Sequence, residues 1–134
     1  MKKDEYFFTY PEFNNIREIM LDALNKYSNE TAFILKDKDK NLYNVSYEEF
    51  FYEVKKFSTA LFNLGLASKR IAIVGNNSYL WALSYVTILM SNMVAVPLDK
   101  GLEIGELEDS LIRSEAEVII FDNKHEELIK KIKE

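Results

Sequence analysis

The chain has no cysteine, one histidine, two prolines and four glycines among its 134 residues. Without cysteine there is neither a disulfide framework nor a thiolate metal site. That composition fits a reducing compartment, and a cytoplasmic location is expected. With so little proline and glycine, the connections read as short. No flexible linker, internal repeat or low-complexity segment interrupts the chain. Apolar runs stop well short of the ~20 residues that a membrane span needs, so no transmembrane segment is expected. Met1-Lys2-Lys3-Asp4-Glu5 turns acidic at once, and no signal-peptide core follows it. Positive charge is also scarce: 17 Lys and Arg face 22 Asp and Glu, a net charge of −5. Nucleic acid needs a concentrated basic face. The lysine clusters, at 36, 38 and 40 and at 130, 131 and 133, sit among acids or at a helix end, so nucleic acid is not an expected partner.

What is present suits one soluble domain spanning 1–134, 48% hydrophobic and 29% charged. Residues 1–13 are aromatic-rich and aperiodic (Tyr6, Phe7, Phe8, Tyr10, Phe13) and read as an arm that packs on a surface. A first helix is predicted after Asn14 or Asn15, with Ile16, Ile19, Met20, Ala23, Leu24 and Tyr27 at helical spacing. Thr31–Leu35 and Leu42–Val45 flank a polar turn and read as a β-hairpin. Ser46-Tyr47-Glu48-Glu49 is a capping box. Behind it Phe50, Val54, Phe57, Leu61 and Leu64 form one stripe, and Phe51 and Phe62 are also assigned to the core. Gly65 stands where a left-handed residue ends the helix.

Three apolar runs then alternate with helical patterns. Ile71–Val74, Val94–Val96 and Val118–Phe121 read as buried strands. Asn76, Asn77 or Ser78 caps the helix that runs to about Ser91. A weaker helix carries Ile104, Leu107 and Leu111, and a charged one carries Leu128, Ile129 and Ile132. The expected fold is α/β and three-layered. A small parallel sheet with right-handed crossover helices carries an N-terminal helix and a β-hairpin at one side.

Chemistry-bearing residues are few. Gly75-Asn76-Asn77-Ser78 has one glycine where the dinucleotide fingerprint needs three, and lacks the P-loop lysine. It reads as a tight turn with a helix cap. His125 stands beside Glu126 and Glu127 and reads as a solvated surface histidine. Lys124, Lys130, Lys131 and Lys133 read with Glu126, Glu127 and Glu134 as a solvated helix face. Ser84, Ser91 and Ser110 lack a nucleophile elbow. Glu103, Glu106, Glu108 and Asp109 suit a helix N-terminus rather than calcium. Trp81, in the first turn of its helix, reads as a packing anchor or a ligand wall.

Taken in order, these elements resemble the opening of the AMP-forming, adenylate-forming synthetases, and the long-chain acyl-CoA synthetases most closely. The resemblance rests on Val45-Ser46-Tyr47-Glu48-Glu49-Phe50 and on Leu61-Phe62-Asn63-Leu64-Gly65-Leu66. It rests further on the strand, turn and helix from Arg70 to Trp81, on Val94-Ala95-Val96-Pro97-Leu98-Asp99-Lys100, and on Ile104 to Ile120. It runs from about Asn14 to Phe121. Ser91-Asn92 replaces the family's usual alanine-glycine, and asparagine tolerates the left-handed turn next best after glycine.

The resemblance implies a parent ligase that joins a fatty acid to coenzyme A with ATP and magnesium, giving acyl-CoA, AMP and pyrophosphate. The family's Ser/Thr/Gly-rich phosphate loop, its magnesium-holding glutamate, its ribose-holding aspartate and its mobile C-terminal domain with a catalytic lysine have no match in these residues. The expectation is therefore a structural N-terminal part whose partner is the remainder of the synthetase. No catalytic, cofactor-binding or metal-binding residue is assigned within the chain, and ATP, magnesium and CoA are implied for the parent alone. The alternatives are another adenylate-forming enzyme, acting on an amino or aryl acid, a standalone α/β interaction module, or a small receiver-like signalling domain, which would need an acidic cluster at strand ends where Gly75 and Asn76 follow Ile71–Val74. The isolated piece is expected to expose apolar surface and to self-associate.

Overall fold

The structure, a computed structural model, describes residues 11–133. The aromatic residues Tyr6, Phe7, Phe8 and Tyr10 of the expected arm lie outside the described residues.

Helix α1 (Ile16–Tyr27) starts where Asn15 accepts a hydrogen bond from the Glu18 N–H at 3.0 Å. Strands β1 (Thr31–Lys36) and β2 (Leu42–Ser46) pair antiparallel across a turn in which Asp37 Oδ1 accepts from the N–H groups of Asp39 and Asn41. The capping box is present. The Glu49 N–H donates to Ser46 Oγ at 3.2 Å, the Ser46 N–H donates to Glu49 Oε2 at 2.8 Å, and α2 (Tyr47–Asn63) follows. Gly65 ends it with φ of +77°.

The larger sheet is parallel, ordered β4-β3-β5, with β3 at Arg70–Val74, β4 at Val94–Pro97 and β5 at Val118–Phe121. Helix α3 (Tyr79–Met90) joins β3 to β4, and α4 (Ile104–Ser114) carries the chain back past β3 to β5. A 3₁₀ turn over Asn123–His125 leads into α5 (Glu126–Lys133), which packs on α4. Asn92 takes the left-handed conformation expected of it, with φ of 53°.

Side chains alternate along β3, so Ile71 and Ile73 face one side and Ala72 and Val74 the other, and all four are buried. Ile71 and Ile73 pack with Leu61 of α2, Ile88 of α3 and Met93. A second cluster joins Phe50, Phe51 and Val54 of α2 to Leu83 of α3, and attaches α1 and the hairpin through Met20, Leu24, Phe33 and Val45. Phe33 lies 4.9 Å from the Phe50 ring and edge-on to Tyr79 at 5.1 Å. Helix α3 touches both clusters. That explains why its sequence is apolar all round, apart from small hydroxyl side chains such as Ser84 and Thr87.

Three expectations about burial need correction. Leu64 is 72% exposed and Phe62 is also exposed. The helix ends at Asn63, so Leu64 leaves the stripe, while Phe62 points about 100° away from Leu61. Val94–Val96 is not a buried strand: it is a sheet edge, and Val94 is 49% exposed. Pro97 signals that position, because a residue without an N–H is tolerated only at an edge. β5 is likewise an edge. Val118, Ile119 and Ile120 are half-buried and Phe121 is exposed.

Candidate functional site: a cleft at the carboxyl end of the sheet

Strands β3 and β5 are neighbours, yet their connections diverge. α3 packs against the Ile71 and Ile73 face, whereas α5 packs on α4, the helix of the return crossover. Crossovers of one hand that run outward and back across a sheet put their helices on opposite faces. Neighbouring strands whose connections part in this way open a crevice beyond their carboxyl ends, where α/β proteins bind ligands. A cleft of about 410 Å³ lies there. Its apolar walls include Trp81, Leu80 and Phe121, and its polar side includes Asn76, Ser78, Asp122 and Lys124.

The first turn of α3 is capped by Ser78, whose Oγ accepts from the Trp81 N–H at 3.1 Å. Among the three residues that could have capped this helix, Ser78 does so, leaving Asn76 for another role. The Asn76 backbone N–H and Nδ2 both donate to Asp122 Oδ2, at 2.8 and 2.9 Å. Asp122 Oδ1 accepts from the Lys124 N–H at 3.1 Å and contacts His125 Nδ1 at 2.5 Å. The other ring nitrogen, Nε2, lies 3.1 Å from the Lys100 carbonyl oxygen. Lys100 closes the ring of contacts by donating from Nζ to Asn76 Oδ1 at 3.1 Å. The loops after all three parallel strands are thus joined through four side chains.

Electrostatics follow from this geometry. The Asn76 backbone N–H, and next the His125 ring, hold the Asp122 carboxyl well below the usual carboxylate range. The Asp122 hydrogen bond raises the pKa of His125 against the opposing effect of burial, and the Lys100 carbonyl adds to the rise. Away from the cleft, the Tyr79 hydroxyl donates to Glu53 at 2.6 Å, tying α3 to α2. Burial, then that carboxylate, pushes the phenol pKa up.

The reading of His125 as a solvated surface residue is corrected: it is 9% exposed. The Lys100 loop covers it, and that loop belongs to a part of the chain 25 residues away. With both ring nitrogens engaged, the imidazole has no free site for proton abstraction. Sequence reasoning passed over Asp122. The available signal was its place directly after a buried strand and two residues before Lys124, whose N–H it caps. Trp81 packs on the core beside Tyr85, with ring centroids 5.2 Å apart, and also lines the cleft.

The other sequence candidates have local duties. Ser84 and Ser110 donate to the carbonyls of Leu80 and Glu106, and Ser91 donates to Ser58 Oγ at 2.7 Å. At the start of α4 the Glu103 N–H donates to Glu106 Oε2 at 3.1 Å. Among the described residues, no group of three His, Cys, Asp or Glu is arranged to hold a metal ion, and no helix is long and apolar enough to cross a membrane. A larger groove of about 570 Å³ runs between α1 and α2, with Leu21, Leu24, Phe51 and Met90 in its lining and Arg17 and Lys55 beside them.

A family model described as "AMP-binding enzyme" matches residues 21–134. A search of the curated proteins gives no match. Among solved structures, the chain is similar to the anthranilate CoA ligase AuaEII in complex with anthranoyl-AMP, with 24% identity and a TM-score of 0.77 over 92% of this chain and 23% of that one. It is similar to the N-terminal domain of FACL13 from Mycobacterium tuberculosis, with 20% identity and a TM-score of 0.79 over 90% of this chain and 30% of that one. It is also similar to a benzoate CoA ligase from Burkholderia xenovorans, with 18% identity and a TM-score of 0.77 over 90% and 24%. At these identities the likeness establishes the fold, and the chain spans between about a quarter and a third of the length of these relatives.

Proposed function

Because the chain belongs to the AMP-binding enzyme family, whose model matches residues 21–134, we propose that it is the N-terminal part of an acid–thiol ligase. In that reaction a carboxylate attacks the α-phosphate of ATP, pyrophosphate leaves, and the thiol of coenzyme A then displaces AMP from the acyl-adenylate. The family match carries this reading. A long-chain fatty acid is the substrate we assign, on the strength of Lys100, which follows the Val96-Pro97-Leu98-Asp99 strand end and resembles the long-chain branch.

The groups present do not fit magnesium–ATP. Among the described residues Asp122 is the one carboxylate lining the cleft, and its two oxygens already face four donors. A carboxylate offers about four lone-pair sites, so none is left for a cation. ATP, magnesium and CoA are therefore assigned to the remainder of the ligase. The present residues supply a rigid wall: a central strand, its cleft, and edges and exposed apolar side chains such as Phe121 and Val94 for the remainder to cover. Self-association of the isolated piece and a cytoplasmic setting belong to the same proposal.

Pyrophosphate release tests it, using the 134-residue chain and the full product of its gene, each with ATP, magnesium, CoA and one acid. A long-chain fatty acid, benzoate, anthranilate and an amino acid make up the panel. We expect turnover of the long-chain acid by the gene product and none by the 134 residues. Turnover by the 134 residues would overturn the division of labour. Preference for an aryl or amino acid would overturn the long-chain assignment and leave the ligase reading standing.

A further inference from the structure

The loop from Leu98 to Glu103 is fastened to the end of the sheet at few points. The Leu98 N–H donates to the Ile73 carbonyl at 2.9 Å. Past Leu98, the hydrogen bonds among the described residues that tie it to the sheet end are those of Lys100: Nζ donates to Asn76 Oδ1, and the carbonyl oxygen faces His125 Nε2. We propose that His125, in its doubly protonated form, is a pH-sensitive clasp that holds this loop against the ends of β3 and β5 and so sets the rim of the cleft.

Hydrogen-bond valence decides which form of the ring holds both contacts. Nδ1 faces a carboxylate oxygen of Asp122 and Nε2 faces the carbonyl oxygen of Lys100. Both partners only accept. A neutral imidazole carries one N–H, so it satisfies one of them and turns a lone pair toward the other. The imidazolium satisfies both. The ring is buried, so water does not readily replace a lost partner. Deprotonation therefore breaks one of the two contacts. Asp122 holds its side by the stronger, charge-assisted bond, so the Lys100 side opens.

The charged groups around the ring agree with this. Asp122 faces it from the β5 turn and favours the cation. Lys100 faces it from the β4–α4 loop, where its carbonyl favours the cation and its ammonium opposes it. On its own element the flanking charges are Lys124 and Glu126. Release of Lys100 also loosens its Nζ bond to Asn76 on the rim of the cleft.

The chain has one histidine, so, purified without a histidine tag, it gives one ring to follow by NMR. Ring nitrogen shifts are recorded from about pH 5 to 9, the range that brackets an ordinary histidine. Amide exchange of Lys100, Gly101 and Leu102 is followed alongside that of Ile73 in β3. The clasp requires both ring nitrogens to be protonated below a midpoint that lies above 6.5. It requires loop protection to fall several-fold through that midpoint, beyond the intrinsic base catalysis, while Ile73 is unchanged. Asp122→Asn should lower the midpoint, and His125→Gln should remove the pH step from the loop. Where either variant fails to fold, the titration of the unaltered chain decides. A midpoint at or below 6.5, a single-tautomer ring at pH 6, or loop protection that ignores the titration overturns the proposal.

Discussion

Asp122 grips Asn76 twice through one oxygen: Oδ2 accepts the backbone N–H at 2.8 Å and the side-chain Nδ2 at 2.9 Å, across 46 residues of sequence. The first bond satisfies a backbone donor that has just left β3. The second fixes the Asn76 amide so that its oxygen faces Lys100. One carboxylate thereby sets the shape of the turn after β3 and the position of the loop after β4.

This grip explains Gly75. A Cβ there would sit 3.2 Å from Asp122 Oδ2 and 3.3 Å from its Cγ. The carboxylate cannot retreat without stretching its bonds to Asn76. Gly75→Ala should therefore destabilise the fold by about 1 kcal/mol, the low end of overpacking costs. Gly65→Ala should cost about as much for another reason: no described residue comes within 4 Å of its Cβ position, but its φ of +77° strains any side-chain-bearing residue. Thermal melts check both. An addition of Asp122→Ala should relieve the Gly75 variant and leave the Gly65 variant unrelieved.

Thr87 is fully buried in α3, and its hydroxyl has no hydrogen-bond partner among the described residues. Valine keeps the shape and removes the stranded oxygen. Thr87→Val should leave stability unchanged or raise it by about 1 kcal/mol, read as the midpoint of a urea transition. Loss of stability would mean that the hydroxyl has a partner in solution.

Stability should depend on pH at both ends of the Asp122–His125 pair. The folded pKa of His125 is raised above 6.5, so its contribution is complete below that value and is lost as pH rises through the folded value. The folded pKa of Asp122 is depressed below 3.8, so its contribution is complete above that value and is lost as pH falls. Melting temperature should therefore be highest between these two ordinary values and decline on either side. His125→Gln should flatten the alkaline limb and leave most of the acid limb.

Ser46→Ala should cost about 1 kcal/mol, because it removes the acceptor that caps α2. Leu107→Ala should cost about 2–5 kcal/mol, because Leu107 is fully buried and its loss opens a cavity under α4. Chemical denaturation of the two variants side by side checks the order.

Most of the architecture was legible because its signals are local. Ser46 and Glu49 are three residues apart, Gly65 directly follows the helix end, and the alternation of apolar runs with helical patterns already specifies a parallel sheet. The site was less legible because its partners are distant. Nothing near His125 announces that the carbonyl of Lys100 will cover it, and the adjacent glutamates point the reading toward solvent. Asp122 carried a usable signal, a carboxylate at the carboxyl end of a strand in a parallel sheet. The edge character of β4 was written in Pro97. The exposure of Phe121 and Val94 follows from strand order, which alternation alone does not give.

The most direct test of the central claim is a search for acyl-adenylate by mass spectrometry, with the full gene product, ATP, magnesium and a long-chain fatty acid, and with CoA left out. Acyl-AMP together with pyrophosphate is expected, and the acyl-AMP should disappear when CoA is added. ADP with acyl phosphate, or no acyl-AMP from any carboxylic acid in the panel, would contradict it.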